Sequence, residues 1–497
     1  MFAYYSMSKI FKKSLFLKAF EKVTGKLKPE NYIFYSSIVF YLLLWHINPN
    51  NKIIALSFVF LIFIYNYKLK NVKLSILLTY LASSIIFTGK RYLIQLVPEG
   101  VFPKVLAPQG YVSHFVISYL HIIAFFMLIL LVRDFLKNRM KFKLEKKDYL
   151  VIFYFLWLVL SDILGSSRPN ISILFSVLSL HFLVFYFYLK FLIKGKEKFI
   201  MLIALFTAQI IFESYISYQQ FIASSPIYKN IEAQVDIEYF GFAADEPQFR
   251  FRPVGTFNHA NELGMAMSFW LLIIFAYLYK RQNILSFTAL IFGVVTLATT
   301  LSRSSWLGFA FVLFFTLFFF EKVKKIKSPE IFTKNILSMA IVAVVVTIFF
   351  IFPRAEKSLY TFSEGGGYFR SAQIRAAIEL IKQNPLYGVG TGMSVPAGLS
   401  QLPRTVFSLV PLGVHNWYLN ITTEHGIPAI LLFLALIATF MMEQVRKIWD
   451  ENVINLESLM RIAITGGVVS SMIVGMFQPF VGETFILLAF AILGKRK

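Results

Sequence analysis

Cysteine is absent from the 497 residues. That removes disulfides, thiolate metal sites and a cysteine nucleophile in one step. Acidic residues are scarce, 26 against 49 lysines and arginines, and the chain carries a formal charge of +23. Histidine occurs only seven times, so few imidazoles are available as proton acceptors. No long polar stretch exists from which a separate soluble domain could be built, and no internal repeat is visible. What the chain has instead is apolar bulk. Hydrophobic residues make up 57%, phenylalanine alone occurs 56 times, and the mean hydropathy is +0.67. That composition suits lipid-facing helices and fits no soluble class.

A charge of +23 on a soluble chain would suggest nucleic acid. Here the lysines cluster in short loops between apolar runs, which is the pattern of membrane topology. Nucleic acid is not an expected partner, because the basic clusters have no fold to present them. Apolar runs long enough to span a bilayer, at about 20 residues each, recur about fourteen times. They centre near residues 40, 59, 81, 123, 157, 182, 210, 270, 292, 311, 343, 434, 469 and 488. The expected class is an all-α polytopic membrane protein with about twelve to fourteen transmembrane helices.

Lysine-rich segments occupy every second loop: the tail before Tyr32, Lys68 to Lys73, Arg133 to Lys147, Lys194 to Lys198, Lys280–Arg281, Glu321 to Lys334 and Lys495 to Lys497. By the positive-inside rule these face the cytoplasm, with both termini inside. Residues 1–31 form a basic tail with seven lysines and no uninterrupted apolar core, so they read as a tail and not as a cleaved signal. Residues 32–208 are N-terminal membrane helices, and 443–497 are C-terminal ones. Residues 209–442 carry the polar clusters, with two long outward loops at 223–259 and 353–414. Within the second loop, Tyr368 to Gln383 has helical spacing and predicts an amphipathic helix at the membrane–water boundary.

Arginine marks the outward segments, at Arg250, Arg252, Arg303, Arg354, Arg370, Arg375 and Arg404. Its planar fork pairs bidentately with phosphate oxygens, which lysine cannot do. Four polar clusters lie at helix ends on this one face: Arg252 to Asn261, Thr300 to Trp306, Arg370 to Gly390, and His415 to Pro428. A shared cavity explains their common placement.

The motifs Arg-x-x-Gly-Thr-Phe-x-His-x-Asn, Ser-Arg-x-x-Trp, Asn-Pro-x-x-Gly-x-Gly and His-Asn-x-Tyr-Leu with Glu-x-Gly-Ile-Pro resemble those of the O-antigen ligase and polymerase superfamily. The resemblance covers roughly residues 209–442. It implies a GT-C-like membrane glycosyltransferase in the cytoplasmic (inner) membrane of a bacterium. Such an enzyme takes a glycan from a polyprenyl-diphosphate carrier (undecaprenyl diphosphate) at the outer leaflet. The acceptor is a lipid core sugar or another carrier-linked glycan, and membrane lipids surround the protein. No metal or other cofactor is expected. The resemblance also implies arginines on the diphosphate and a histidine base. Ala260 departs from a proline frequent in the family, and either Arg370 or Arg375 matches the third arginine.

The residue chemistry points the same way. A diphosphate leaving group needs cations in a dry site, and Arg252 and Arg303 are the first candidates, with Arg370 or Arg375 third. The acceptor hydroxyl needs a base that titrates near ambient pH, and His415 is the best placed. Asn416 and Asn420, one turn apart, are positioned to orient substrate, and Asn261 to cap its helix. Glu424 is weighed as an orienting partner for His415 or His425. His259 and His425 read more readily as backbone-bonded histidines at helix ends. The turn at Gly388 to Gly390 does not follow a strand, so a nucleotide loop is excluded. Two other functions share the composition. A protein O-oligosaccharyltransferase changes only the acceptor. A flippase or transporter would show repeats and polar breaks at mid-membrane depth, which are not seen.

Overall fold

The structure, a computed structural model, describes residues 60–67, 70–86, 92–95, 114–117, 119–137, 144–192, 195–223, 252–257, 260–280, 284–318, 366–401, 413–450, 455–477 and 493. In chain order the elements are α1 (Val72–Ile86), β1 (Tyr92–Gln95), β2 (His114–Ile117), α2 (Tyr119–Leu136), α3 (Lys146–Gly165), α4 (Pro169–Leu192), α5 (Gly195–Ala223) and α6 (Ala260–Lys280). There follow α7 (Ile284–Thr299), α8 (Arg303–Phe318), α9 (Gly366–Gln383), α10 (Ser394–Gln401), α11 (Trp417–Asp450) and α12 (Leu456–Gly475). Five of these are long and apolar enough to cross a membrane: α3, α4, α6 up to Tyr279, α11 and α12. The protein is thus a helical polytopic membrane protein over its described residues. One small addition to the expected all-helical class is the antiparallel pairing of β1 with β2, in which Tyr92 faces Ile117. The apolar runs centred near 40, 343 and 488 lie outside the described residues.

The apolar surface explains the packing. Helix α6 is the hub, packed on α5, α7, α8 and α12. Its Leu263, Ala266, Met267, Leu271, Ile273 and Ile274 have no exposed surface. Among apolar chains no hydrophobic force draws helices together, so close fit and small residues must do so. Gly467 of α12 lies against the ring of Phe269, and Gly308 of α8 lies against Ser470. At the periphery, Phe125, Phe153, Leu156, Phe314 and Leu431 stay exposed, as expected of surfaces solvated by hydrocarbon. A second set of contacts joins α3 to α4 and α11.

One end of this second group is tied by buried charges. Lys190 and Tyr186 of α4 donate to the Asp148 carboxylate of α3 at 2.7 and 2.6 Å. Lys147 bridges Glu145 and Glu443. Buried charges are tolerated only when paired and hydrogen-bonded, and each of these is. The other end of the helices carries the polar clusters.

Candidate active site at the helix ends

The Arg252 segment is held from below by α5. Gln220 accepts the Val254 and Gly255 N–H groups, both at 2.9 Å, and donates to the Gly255 carbonyl at 2.8 Å. Two turns earlier, Glu213 accepts the Thr256 N–H at 2.9 Å and the Thr256 hydroxyl at 2.6 Å. Gly255 has φ +60°, and a Cβ there would overlap the Glu213 carboxylate. Glycine is required on both counts. This grip aims Arg252 sideways. Its Nε donates to the Thr300 carbonyl at 2.9 Å and its Nη2 to Asn261 Oδ1 at 2.7 Å. Asn261 was expected to cap α6; it stands inside the first turn instead, and its side chain anchors the arginine.

The Thr300 turn is equally constrained. Leu301 takes φ +54°, a left-handed conformation costing a branched residue about 1 kcal/mol or more. The turn is pinned by Thr300 Oγ1 and Trp306 Nε1, which donate to the Leu297 carbonyl at 2.6 and 2.8 Å. Ser302 and Ser305 share a hydroxyl bond of 2.8 Å. Arg303 opens α8 and is exposed. It therefore stands among the unpaired N–H groups of a helix start, where anions are favoured. Gly264 abuts Ser302 and Ser305, bringing the first turns of α6 and α8 together.

Helix α9 begins at Gly366, two residues before the expected start, and ends at Gln383 as expected. It has two unlike faces. Gln373, Ala376, Ala377 and Leu380 are buried, with the helix packed on α11, while Ile374 and Ile378 stay exposed. Arg370 and Gln373 are three residues apart, which puts them on neighbouring positions of one face. Although its side chain keeps access to solvent, packing around the Arg370 guanidinium lowers its pKa, and the charge of Arg303 adds to that. Arg375 points elsewhere and donates to Ser371 at 3.3 Å. Arg370, not Arg375, joins the other arginines.

His415 lies beside this pair. Its Nδ1 is 2.9 Å from Gln373 Oε1. Burial, and secondly the charge of Arg370, push its pKa from 6.5 to about 4, against a smaller opposing hydrogen bond to Gly413. The imidazole is therefore neutral across ordinary pH. Asn416 follows as the cap of α11. Its Oδ1 accepts the Leu419 N–H at 3.0 Å, and its Nδ2 donates to the Met476 carbonyl at 3.2 Å, joining the start of α11 to the end of α12. Asn420 is buried one turn on.

A wedge of backbone fixes α9 against α11. Pro428 has no N–H to offer the Glu424 carbonyl, and Gly426 leaves helical geometry at φ +78°. The loop after α9 fills the break. Val389 N–H donates to the Thr423 carbonyl at 2.9 Å, Gly390 N–H to that of Glu424 at 2.8 Å, and Ile427 N–H to Pro385 at 2.8 Å. Broken membrane helices persist when other groups satisfy the freed backbone in this way. Glu424 accepts Gly392 N–H at 3.1 Å and the Ser394 hydroxyl at 3.2 Å, so it secures this loop.

On the far side, Asp162 of α3 accepts Thr391 N–H at 2.7 Å and the Thr391 and Ser176 hydroxyls at 2.9 and 2.5 Å. His425 is buried beside them, 2.7 Å from Ser161 Oγ and 3.4 Å from Thr391 Oγ1. It belongs to the fixing of the loop.

The structure ties Arg252 to Asn261 and to the Thr300 turn before Arg303, sets Arg370 within electrostatic reach of Arg303 and of His415, and bonds Arg375 to Ser371. Arg250, His259, Arg354 and Arg404 lie outside the described residues. Among the described residues no three of histidine, aspartate and glutamate gather as metal ligands would. Sequence reading missed Glu213, Gln220, Asp162 and Gln373. The first three carried a signal, since polar groups within apolar runs are functional or structural by default. Gln373 had only its spacing from Arg370. Residues 288–434, less than a third of the chain, match the family model described as O-Antigen ligase, and they include the Arg303, Arg370 and His415 positions. No curated protein matches the chain.

Proposed function

From the premise of an O-antigen ligase domain in a bacterial membrane protein, we propose a glycosyltransferase that moves a glycan from a polyprenyl-diphosphate carrier to an acceptor at the outer face of the cytoplasmic membrane. The acceptor is a lipid core sugar or a growing carrier-linked chain. The carrying observation is a chain of neighbours: Arg252 bonded to the Thr300 turn that precedes Arg303, Arg303 within electrostatic reach of Arg370, and Arg370 near a neutral, half-buried His415. Like charges brought near one another favour an anion between them, and a diphosphate supplies two negative charges with matching oxygen geometry.

In the proposed reaction the acceptor hydroxyl oxygen bonds to the anomeric carbon while its proton passes to His415 Nε2. The bond from that carbon to the diphosphate oxygen breaks, and its electron pair leaves with the diphosphate. The arginines stabilise the charge that develops there. A GT-C-like arrangement of helices, both termini inside and no metal requirement are part of this reading. Dianion binding near Arg370 cancels part of the field that depresses His415, so the base strengthens once donor is bound.

Product analysis tests the reading. Membranes are incubated with carrier-linked glycan alone and then with lipid core. Longer carrier-linked chains identify a polymerase, and transfer only onto lipid core identifies a ligase. We expect His415→Ala to abolish either product at unchanged expression. We expect Arg252→Lys to lower the rate about 10- to 100-fold, because charge survives but the bonds to Thr300 and Asn261 do not. Wild-type transfer by His415→Ala would remove the assignment of the base.

A further inference from the structure

We propose that Gln373 is a positioning residue for His415, selecting the tautomer whose Nε2 lone pair faces the acceptor hydroxyl. The proposal rests on the reading of His415 as base. Three observations carry it. Gln373 is almost fully buried, 3% exposed, on the face of α9 that otherwise presents alanines and a leucine to α11. A buried amide is costly there unless it makes a hydrogen bond, and an apolar side chain would fill the same space. Its hydrogen bond among the described residues runs to the His415 ring, at 2.9 Å from Oε1 to Nδ1.

The chemistry follows from what an amide oxygen can do. It only accepts, so this bond requires the proton on Nδ1 and leaves the lone pair on Nε2, a preference set beside the ring's second contact with the Gly413 backbone. When Nε2 takes the acceptor proton, the Nδ1–H bond to Oε1 strengthens against the new positive charge. A carboxylate at this position would do the same with more force, but it would also pair with Arg370 one turn away. Glutamine orients the ring without neutralising the arginine that the diphosphate needs. Helix α9 therefore presents the phosphate-binding cation and the acceptor that orients the base from one turn.

The test uses the full-length protein in lipid nanodiscs with ¹⁵N-labelled histidine, His415 being assigned by its loss in His415→Gln. Nitrogen shifts separate the two neutral tautomers. We expect the Nδ1–H form in the wild type and loss of that preference in Gln373→Leu. In membranes of cells that supply their own carrier-linked glycan, Gln373→Leu should lower kcat about 10- to 100-fold with KM within about twofold, a fraction of what a general base contributes. Gln373→Glu keeps the shape of the side chain and should move the acid limb of the pH profile upward even in an Arg370→Gln background, where no effect can pass through Arg370. An Nε2–H tautomer in the wild type, or the same tautomer in Gln373→Leu, overturns the proposal. So does an unmoved pH profile in Gln373→Glu. If the tautomer responds as expected while His415→Ala still transfers glycan, the base assignment fails and Gln373 orients a ring with no part in proton transfer. If His415→Ala is inactive while the tautomer ignores Gln373, the positioning role alone fails.

Discussion

Replacing Arg370 by glutamine removes the cation beside His415 and leaves the helix and its buried face in place. In the wild type the imidazole pKa is pushed from 6.5 to about 4, chiefly by burial and secondly by Arg370. At about 1.4 kcal/mol per pH unit, that displacement is roughly 3 kcal/mol against the imidazolium. Burial is the larger part of it and the Arg370 charge the smaller. The sign follows directly. A depressed histidine is neutral, and able to accept a proton, at every pH above about 4. Its activity is lost only as pH falls through that value. Without Arg370 the pKa rises but stays below 6.5 because burial remains, so the acid limb of kcat/KM moves up from about 4 toward that value. The free-enzyme parameter is the one to follow, because bound diphosphate neutralises the same field. The assay is glycan transfer in membranes between pH 3.5 and 8, with Arg370→Gln compared to wild type. An acid limb near pH 6.5 in the wild type would refute the burial argument. A variant slowed equally at every pH, with the limb unmoved, would confine Arg370 to holding phosphate.

Two further outcomes test the scaffold. Gly255→Ala should cost about 2 kcal/mol or more, since alanine meets both a left-handed φ of +60° and the Glu213 carboxylate; thermal unfolding of the purified protein in detergent reads it, and an unchanged midpoint would mean that the segment is not gripped as described. Asp162→Asn keeps the shape but weakens the charge-assisted bonds from Thr391 and Ser176. A loss of about 1–3 kcal/mol is expected, with faster hydrogen exchange at Val389 and Gly390, whose N–H groups fill the helix break.

How much of the site was legible depended on the kind of interaction. Arg252, Arg303 and His415 stood out because charge and imidazole at the ends of apolar runs are expensive without a purpose. Periodicity placed α9 to within two residues, because alanine and leucine recur at helical spacing. The two asparagines exchanged expectations. Asparagine at a helix start predicts a cap; Asn261, expected to cap, is the second residue of α6 and serves Arg252, whereas Asn416, expected to orient substrate, caps α11. Glu424 misled for another reason. Its neighbour in sequence is His425, but beside the break at Gly426 and Pro428 its carboxylate meets Gly392 and Ser394, thirty or more residues away.

The sequence by itself determined the solvent and the chemistry. Its apolar runs require a membrane, its missing cysteines exclude thiol chemistry, and its arginines and histidine at helix ends define what the site can hold. Those are local properties, set by composition and by spacing along one chain segment. Tertiary structure alone decided which polar groups meet: that Arg370 and not Arg375 reaches the cluster, and that Gln373 faces His415. It also decided that a loop closes the break in α11. Each depends on how one helix is rotated against another, and that rotation is settled by packing between segments far apart in the chain.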